Sequence, residues 1–138
     1  MTRRYHLLAI LLLLAPVAAE AQSEAGDWLT DDGSAIIRVA PCGQKLCGRI
    51  AKILDPNAPA NDAHNPDVAE RRRPLVGTAV LRNFERSGAG WDRGSAYDPK
   101  AGKSYKSRLA LDGPNRLAVT GCVLFLCRTR HWTRMPRS

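Results

Sequence analysis

Two cysteine pairs with the same spacing bound what this chain can fold into. In Pro41-Cys42-Gly43-Gln44-Lys45-Leu46-Cys47-Gly48, two thiols flank four turn-compatible residues, with apolar, β-branched residues on both sides. Cys122 and Cys127 repeat the spacing near the C-terminus, around the apolar run Val123-Leu124-Phe125-Leu126. Thiols at this distance between strand-like arms read as β-hairpins stapled near their turns. Four cysteines allow three connectivities. Cys42–Cys47 with Cys122–Cys127 is favoured, because each pair flanks a short connection. So short a loop limits each staple to about 2 kcal/mol by loop closure. Cross-pairing between the hairpins, which would close the sheet, is the rival. A zinc site is a weaker one, since an oxidising compartment opposes free thiols and no C-x-x-C occurs.

The oxidising compartment follows from the N-terminal stretch. Arg3 and Arg4 precede the apolar run Leu7 to Leu14, which is too short to span a bilayer, and Ala19-Glu20-Ala21 is a small-x-small cleavage site. A signal peptide over residues 1–21 is therefore expected, with a periplasmic or secreted mature chain over 22–138, neither lipid-anchored nor membrane-spanning. That length makes one domain. The whole chain carries a formal net charge of +8, and its cations are scattered apart from Arg71-Arg72-Arg73 and the stretch from Arg128 to Arg137. Such a balance admits an acidic partner but also serves solubility alone.

Strand signals fill most of the mature part. Gly26 to Thr30, Ser34 to Pro41, Gly48 to Leu54, Thr78 to Glu85, Trp91 to Tyr97, Tyr105 to Leu111, Arg116 to Gly121 and Arg128 to Arg134 are each strand-like. Between them lie turn signals such as Asp31-Asp32-Gly33, Asp98-Pro99-Lys100-Ala101-Gly102 and Asp112-Gly113-Pro114-Asn115. Tyr105, Ser107, Leu109 and Leu111 alternate with Lys106, Arg108 and Ala110, the period of a half-buried strand. About eight hairpin-linked strands predict an all-β fold, a small up-and-down antiparallel barrel. A barrel this size has room for packed side chains or one small ligand.

The exception is the loop from Asp55 to Pro74, which holds Pro56, Pro59, Pro66 and Pro74. It is longer than a compact domain carries without a reason. Asn65 as N-cap, Pro66 at the first helical position and Asp67 beside it predict a turn or two of helix through Glu70-Arg71-Arg72. Asp62, Asn65, Asp67, Arg71 and Arg73 make the loop the candidate site. The arginines could grip an anionic group bidentately beneath a polar lid. The favoured alternative is an internally paired loop that plugs the barrel end. A calcium site from Asn57, Asp62, Asn65 and Asp67 lacks the D-x-D-x-D-G ladder.

The ordered segments G-D-W-L-T-D-D-G, P-C-G-Q-K-L-C-G-R-I, N-P-D-V-A-E-R-R-R-P-L-V-G, Y-D-P-K-A-G-K-S-Y and C-R-T-R-H-W-T-R cover nearly all of the mature chain. Together they resemble the family of small exported bacterial proteins known as domain of unknown function 2147. The resemblance implies a lipocalin-like barrel and no established activity. Gly26-Asp27-Trp28 is also similar to the G-x-W of lipocalin-type (calycin) first strands, where a Trp closes one barrel end and a last-strand basic residue packs across it. Barrel closure is accordingly expected of Trp28 and Arg134, and Trp132 is read as closing core with them because a Trp is more often core than a ligand contact. Arg134 shares a strand face with Trp132 and is expected to stack on indole. The chain departs from the family pattern at Arg130 and His131, where a small polar pair is usual, so the resemblance assigns these two no role.

No catalytic motif appears. Past the leader the histidines are His64 and His131, and neither G-x-S-x-G nor H-E-x-x-H occurs. No cofactor is implied, and nucleic-acid recognition motifs are absent. The expected function is non-enzymatic binding of a small apolar or amphipathic ligand. The aromatic side chains available to fill such a barrel are Trp28, Phe84, Trp91, Tyr97, Tyr105, Phe125 and Trp132, few enough to leave a cavity. A filled interior would sink that reading. The alternative is an envelope interaction protein whose basic surface binds acidic lipid headgroups or polysaccharide, with affinity that falls steeply as salt is added. Nothing in the sequence sets the oligomeric state.

Overall fold

A computed structural model describes residues 23–136, together with Met1 and residues 13–15. The expected cleavage site Ala19-Glu20-Ala21 and most of the expected signal peptide lie outside the described residues. Eight strands follow one another: β1 Gly26–Leu29, β2 Ala35–Cys42, β3 Lys45–Ile53, β4 Ala79–Ser87, β5 Gly90–Asp98, β6 Lys103–Leu111, β7 Arg116–Val123 and β8 Leu126–Arg134. Each pairs antiparallel with the next. β1 pairs with β8 through Trp28↔Arg134 and Leu29↔Thr133, which closes the barrel. Closure gives every strand two neighbours, although β8 meets β1 only at its last two residues. Among the described residues no helix is long and apolar enough to cross a membrane.

The cysteine turns are tighter than their residue types suggest. Cys42 pairs with Lys45, leaving Gly43-Gln44 as the turn, and Val123 pairs with Leu126, leaving Leu124-Phe125. Both disulfides, Cys42–Cys47 and Cys122–Cys127, lie within their own hairpins. In an up-and-down barrel alternate connections share an end, so the β2–β3 and β7–β8 turns sit at opposite ends. A strand of 8 residues separates them by about 26 Å, which rules out cross-pairing.

Alternation sorts the side chains. On β6, Ser107 and Leu109 are buried while Lys106 and Arg108 are exposed. Trp28, Val39, Leu46, Leu81, Phe84, Leu109 and Leu117 are almost fully buried. Most of them lie toward the end that carries the β2–β3, β4–β5 and β6–β7 turns, which we call the floor. The bulk of the core therefore closes one end of the barrel. A local irregularity helps it pack: Asn83 and Arg93 take positive φ of 60° and 58°, and the β5–β6 register shifts between Trp91 and Gly94. Gly94 lies flat against the Phe84 ring, where an added Cβ would overlap the ring atoms.

The long loop holds a single 3-10 turn, Val68–Glu70, capped by Asp67, whose side chain accepts from the Ala69 N–H. The cap lies two residues beyond the expected Asn65. Asn65 is engaged elsewhere: its Oδ1 accepts from the Asp67 N–H and its Nδ2 donates to Asp62. Such a local Asx bond competes with helix and delays its start. The loop is pinched at its base, where the Asp62 N–H donates to the Arg73 carbonyl and the Leu75 N–H to the Ala60 carbonyl.

Candidate functional site

The floor rests on Trp28. Its Nε1 donates to the Glu24 carbonyl at 2.8 Å, and the Arg134 guanidinium lies 4.3 Å from its ring centroid. Arg134 also donates from Nε to the Pro114 carbonyl at 2.9 Å, from Nη1 to Ala25 at 3.1 Å and from Nη2 to Ser23 at 2.7 Å. The stack thus falls on Trp28. Strand-face reasoning along β8 alone points to Trp132, but Trp28 opposes Arg134 directly across the seam. A directly opposed cross-strand neighbour is closer than the next residue on the same face. Trp132 is buried and faces the interior.

Above this floor the interior is open. A cavity of about 990 Å³ reaches the end that carries the β1–β2, β3–β4, β5–β6 and β7–β8 connections. Its walls include Ile37, Ile50, Ile53, Leu75, Val80, Ala96 and Val119, and its rim includes Asp31, Asp32, His64, Asp98, Lys100, Arg128 and Arg130. Gly121 lies on the β7 wall, where an added Cβ would meet Tyr105 at ordinary contact distance.

Two ion pairs tie the rim together. Arg130 Nη1 lies 2.6 Å from Asp31 Oδ2, and Lys100 Nζ lies 2.8 Å from Asp32 Oδ2. Burial alone would raise the Asp32 carboxyl, but hydrogen bonds from Lys100, Ser34 and Thr30 outweigh it and hold its pKa well below the usual carboxylate range. The bond to Asp32 raises the Lys100 pKa, and the bond to Asp31 raises that of Arg130. The departure from the family pattern therefore splits by strand parity. Arg130 joins the rim, while His131 sits on the outer face, 3.4 Å from Asp112.

The five loop residues do not gather at one point. Asp62 bonds both Asn65 and Tyr97, while Asp67, Arg71 and Arg73 stay on the exposed side of the loop. Asp62, only 2% exposed, accepts from the Tyr97 hydroxyl at 2.7 Å and from Asn65 Nδ2 at 2.8 Å. Arg71 Nε donates to the Asn65 carbonyl at 2.7 Å, and Arg73 pairs with Glu70 at 2.7 Å. Both arginines thus bind the loop that carries them. A smaller polar cleft of about 480 Å³ lies beside the loop and includes Arg49, Asp62, Asn65, Glu70 and Arg73. Among the described residues no group of three or more His, Cys, Asp or Glu is placed to hold a metal ion. The loop instead forms one wall of the mouth through Asp55, Asn57, Pro59, Asn61, His64 and Leu75. It rests on Gly102, whose φ of +64° and missing Cβ let the His64 carbonyl approach.

The Tyr97–Asp62 bond predicts a pH response. Burial, then the hydrogen bond to Asp62, push the Tyr97 pKa well above its ordinary value of 10.0. The folded chain keeps a proton that the unfolded chain releases near that pH. The stabilisation is therefore complete below the ordinary value and is lost as pH rises above it. Thermal melts from neutral to strongly alkaline pH should show the wild type losing stability more steeply than Tyr97→Phe. At neutral pH that variant should be less stable by about 1 kcal/mol, because an Asp62 oxygen loses its donor. Parallel pH curves for the two proteins would contradict the assignment.

Sequence reasoning read Asp31-Asp32 and Lys100 as turn residues and did not place them at a site. The missing signal was topological: in an up-and-down barrel every second connection meets at the same end.

Comparison with known proteins accords with this architecture. Residues 26–134 match a family described as an uncharacterized protein conserved in bacteria, domain of unknown function 2147. Among solved structures the chain is similar to one described as protein HP1028 from the human pathogen Helicobacter pylori, a member of the lipocalin family. The TM-score is 0.75 at 19% identity, covering 84% of this chain and 85% of that one. The likeness at that identity is one of fold. No curated protein matches the chain. The matched range contains all eight strands and both stapled hairpins, and the chain belongs to the domain of unknown function 2147 family, built on a lipocalin-like barrel.

Proposed function

We propose that the protein binds a small amphipathic molecule, with the apolar part inside the barrel and the polar end among the rim charges. The observation that carries this is the cavity of about 990 Å³ with largely apolar walls and a charged mouth. Small-molecule sites run to about 300–1,000 Å³. Each methylene moved from water into such walls contributes about 0.8 kcal/mol. At the mouth Arg128 is exposed and has no acid partner among the described residues, which suits an anionic head. No chemical step is part of this function. Lys100 holds Asp32 ionised, a state that favours pairing over proton transfer at neutral pH. The stapled hairpins fit action in an oxidising compartment, the periplasm or the exterior.

The test is native mass spectrometry of protein taken from an exporting host without refolding, followed by titration with the apolar fluorophore N-phenyl-1-naphthylamine. A retained small molecule and saturable fluorescence are expected, the binding of the uncharged fluorophore being nearly independent of salt. Gly121→Leu, which fills the β7 wall, should weaken fluorophore binding at least tenfold with little change in melting temperature. A Gly121→Leu protein that binds the fluorophore as tightly as wild type would overturn the proposal.

A further inference from the structure

The β7–β8 hairpin carries an apolar tip that neither the core nor the cavity explains. Val123, Leu124, Phe125 and Leu126 are 55%, 90%, 99% and 81% exposed. A two-residue hairpin turn favours Gly, Asn or Asp, yet this one uses Leu124-Phe125. Leu124 is held at a φ of 52°, which a branched side chain adopts at a cost. Local structure therefore does not account for these two residues, and exposed contiguous apolar surface marks an interaction. The Cys122–Cys127 disulfide brackets the tip, so little ordering is left for a binding event to supply.

We propose that this tip is a wedge that seats in the surface of an anionic lipid bilayer and brings the cavity mouth against it. Shape and charge argue for a bilayer over a protein. A tip whose two turn residues project into solvent buries far less than the roughly 800 Å² per partner of a stable protein interface. A bilayer accepts a narrow apolar projection flanked by cations, and of the carboxylates at the mouth Asp31 and Asp32 are paired with Arg130 and Lys100. Lys106 sits directly opposite Cys122, and Arg128 lies one residue beyond Cys127. Both are exposed, and neither pairs with an acid among the described residues. Farther along β6, Lys103 is faced by Asp98. The exposed charges along the strands, such as Arg38, Lys106 and Arg108, keep the barrel itself out of the hydrocarbon, so insertion stops about 5–10 Å deep, at the boundary between headgroups and acyl chains. Val123 and Leu126 also line the cavity, so the base of the wedge is part of the cavity wall. The wedge rests on surface geometry and holds whether or not the cavity carries a ligand.

The experiment is co-sedimentation of the full chain with phosphatidylcholine vesicles, with and without phosphatidylglycerol. Wild type should partition onto the anionic vesicles, and less so at high salt. Leu124→Gly combined with Phe125→Asn installs a favoured turn pair and should lower that partitioning at least tenfold, while fluorophore binding in the cavity persists. Gly121→Leu should do the reverse. Lys106→Gln should cost about fivefold, on anionic vesicles alone. Phe125→Trp should add a component of indole emission that shifts to the blue when vesicles are added. Wild-type indifference to anionic vesicles, equal partitioning of the double variant, or an unmoved Phe125→Trp emission would each overturn the proposal. So would a concentration-dependent dimer that the double variant abolishes, since that assigns the tip to a second copy of the chain.

Discussion

Trp28→Ala is expected to lower stability by about 3–5 kcal/mol, the range for deleting a large aromatic from a core. Small domains have only about 5–15 kcal/mol in total, so the variant should be at the edge of folding. Three effects coincide at this residue. The fully buried indole is lost, the Glu24 carbonyl loses its donor, and the Arg134 guanidinium loses the ring it covers. Arg134→Ala should cost less, about 2 kcal/mol, because it removes charge-assisted bonds to carbonyls that water can partly replace. The two residues touch, so the double variant should lose less than the two single losses together. Urea unfolding of the three variants measures all of this. A loss below about 1 kcal/mol for Trp28→Ala, against the range for aromatic truncation, would show that the floor does not depend on the indole.

Gly94→Ala is expected to destabilise the barrel sharply for a single added methyl. The site is not left-handed, so backbone strain is not the cause. The new Cβ would overlap the Phe84 ring, which is fully buried at the floor. Overpacking of this kind costs about 1–3 kcal/mol and sometimes more, and the rigid ring has nowhere to retreat. The mechanism implies a specific rescue. Phe84→Leu destabilises the wild type but should recover part of the loss in the Gly94→Ala background. Thermal melts of the four proteins decide it. If Phe84→Leu is equally harmful in both backgrounds, the contact is not the cause.

The barrel was legible because its signals are local. β6 alternates residue by residue, the turn residues punctuate the strands, and each cysteine pair frames its own hairpin. The tight turn at Gly43-Gln44 was legible too, had alternation been followed through it: Leu46, Gly48 and Ile50 are successive inward positions on β3. What sequence reasoning did not reach depends on meetings between distant segments. Strand parity along β8 offered Trp132 for the Arg134 stack, whereas the calycin resemblance implied the first-strand Trp, and the seam register sets Trp28 against Arg134. The helix start moved from Asn65 to Asp67 because Asn65 bonds to Asp62, which the pinched loop base holds in place. Arg71 and Arg73 also admitted anion binding, but internal pairing was the favoured reading, and the folded loop supplies their partners. Few aromatics correctly suggested space inside. Its extent, however, depends on small wall residues such as Ala96 and Gly121, whose inward direction only the register assigns. The tip at Val123 to Leu126 was visibly apolar, but composition did not reveal that it projects into water.

The seam also sets when the barrel can exist. Every other strand pair joins neighbours along the chain, so those pairs can form as soon as their hairpins are made. The contact that closes the ring joins Ala25 to Arg134, 109 residues apart. Synthesis at about 5–20 residues per second separates the two ends by roughly 5–20 s. Through that interval β1 has no partner on its outer side, and the floor lacks the guanidinium that covers Trp28. A growing chain is therefore an open curl with two unpaired edges, β1 and the strand made last, and it becomes a container only when β8 arrives.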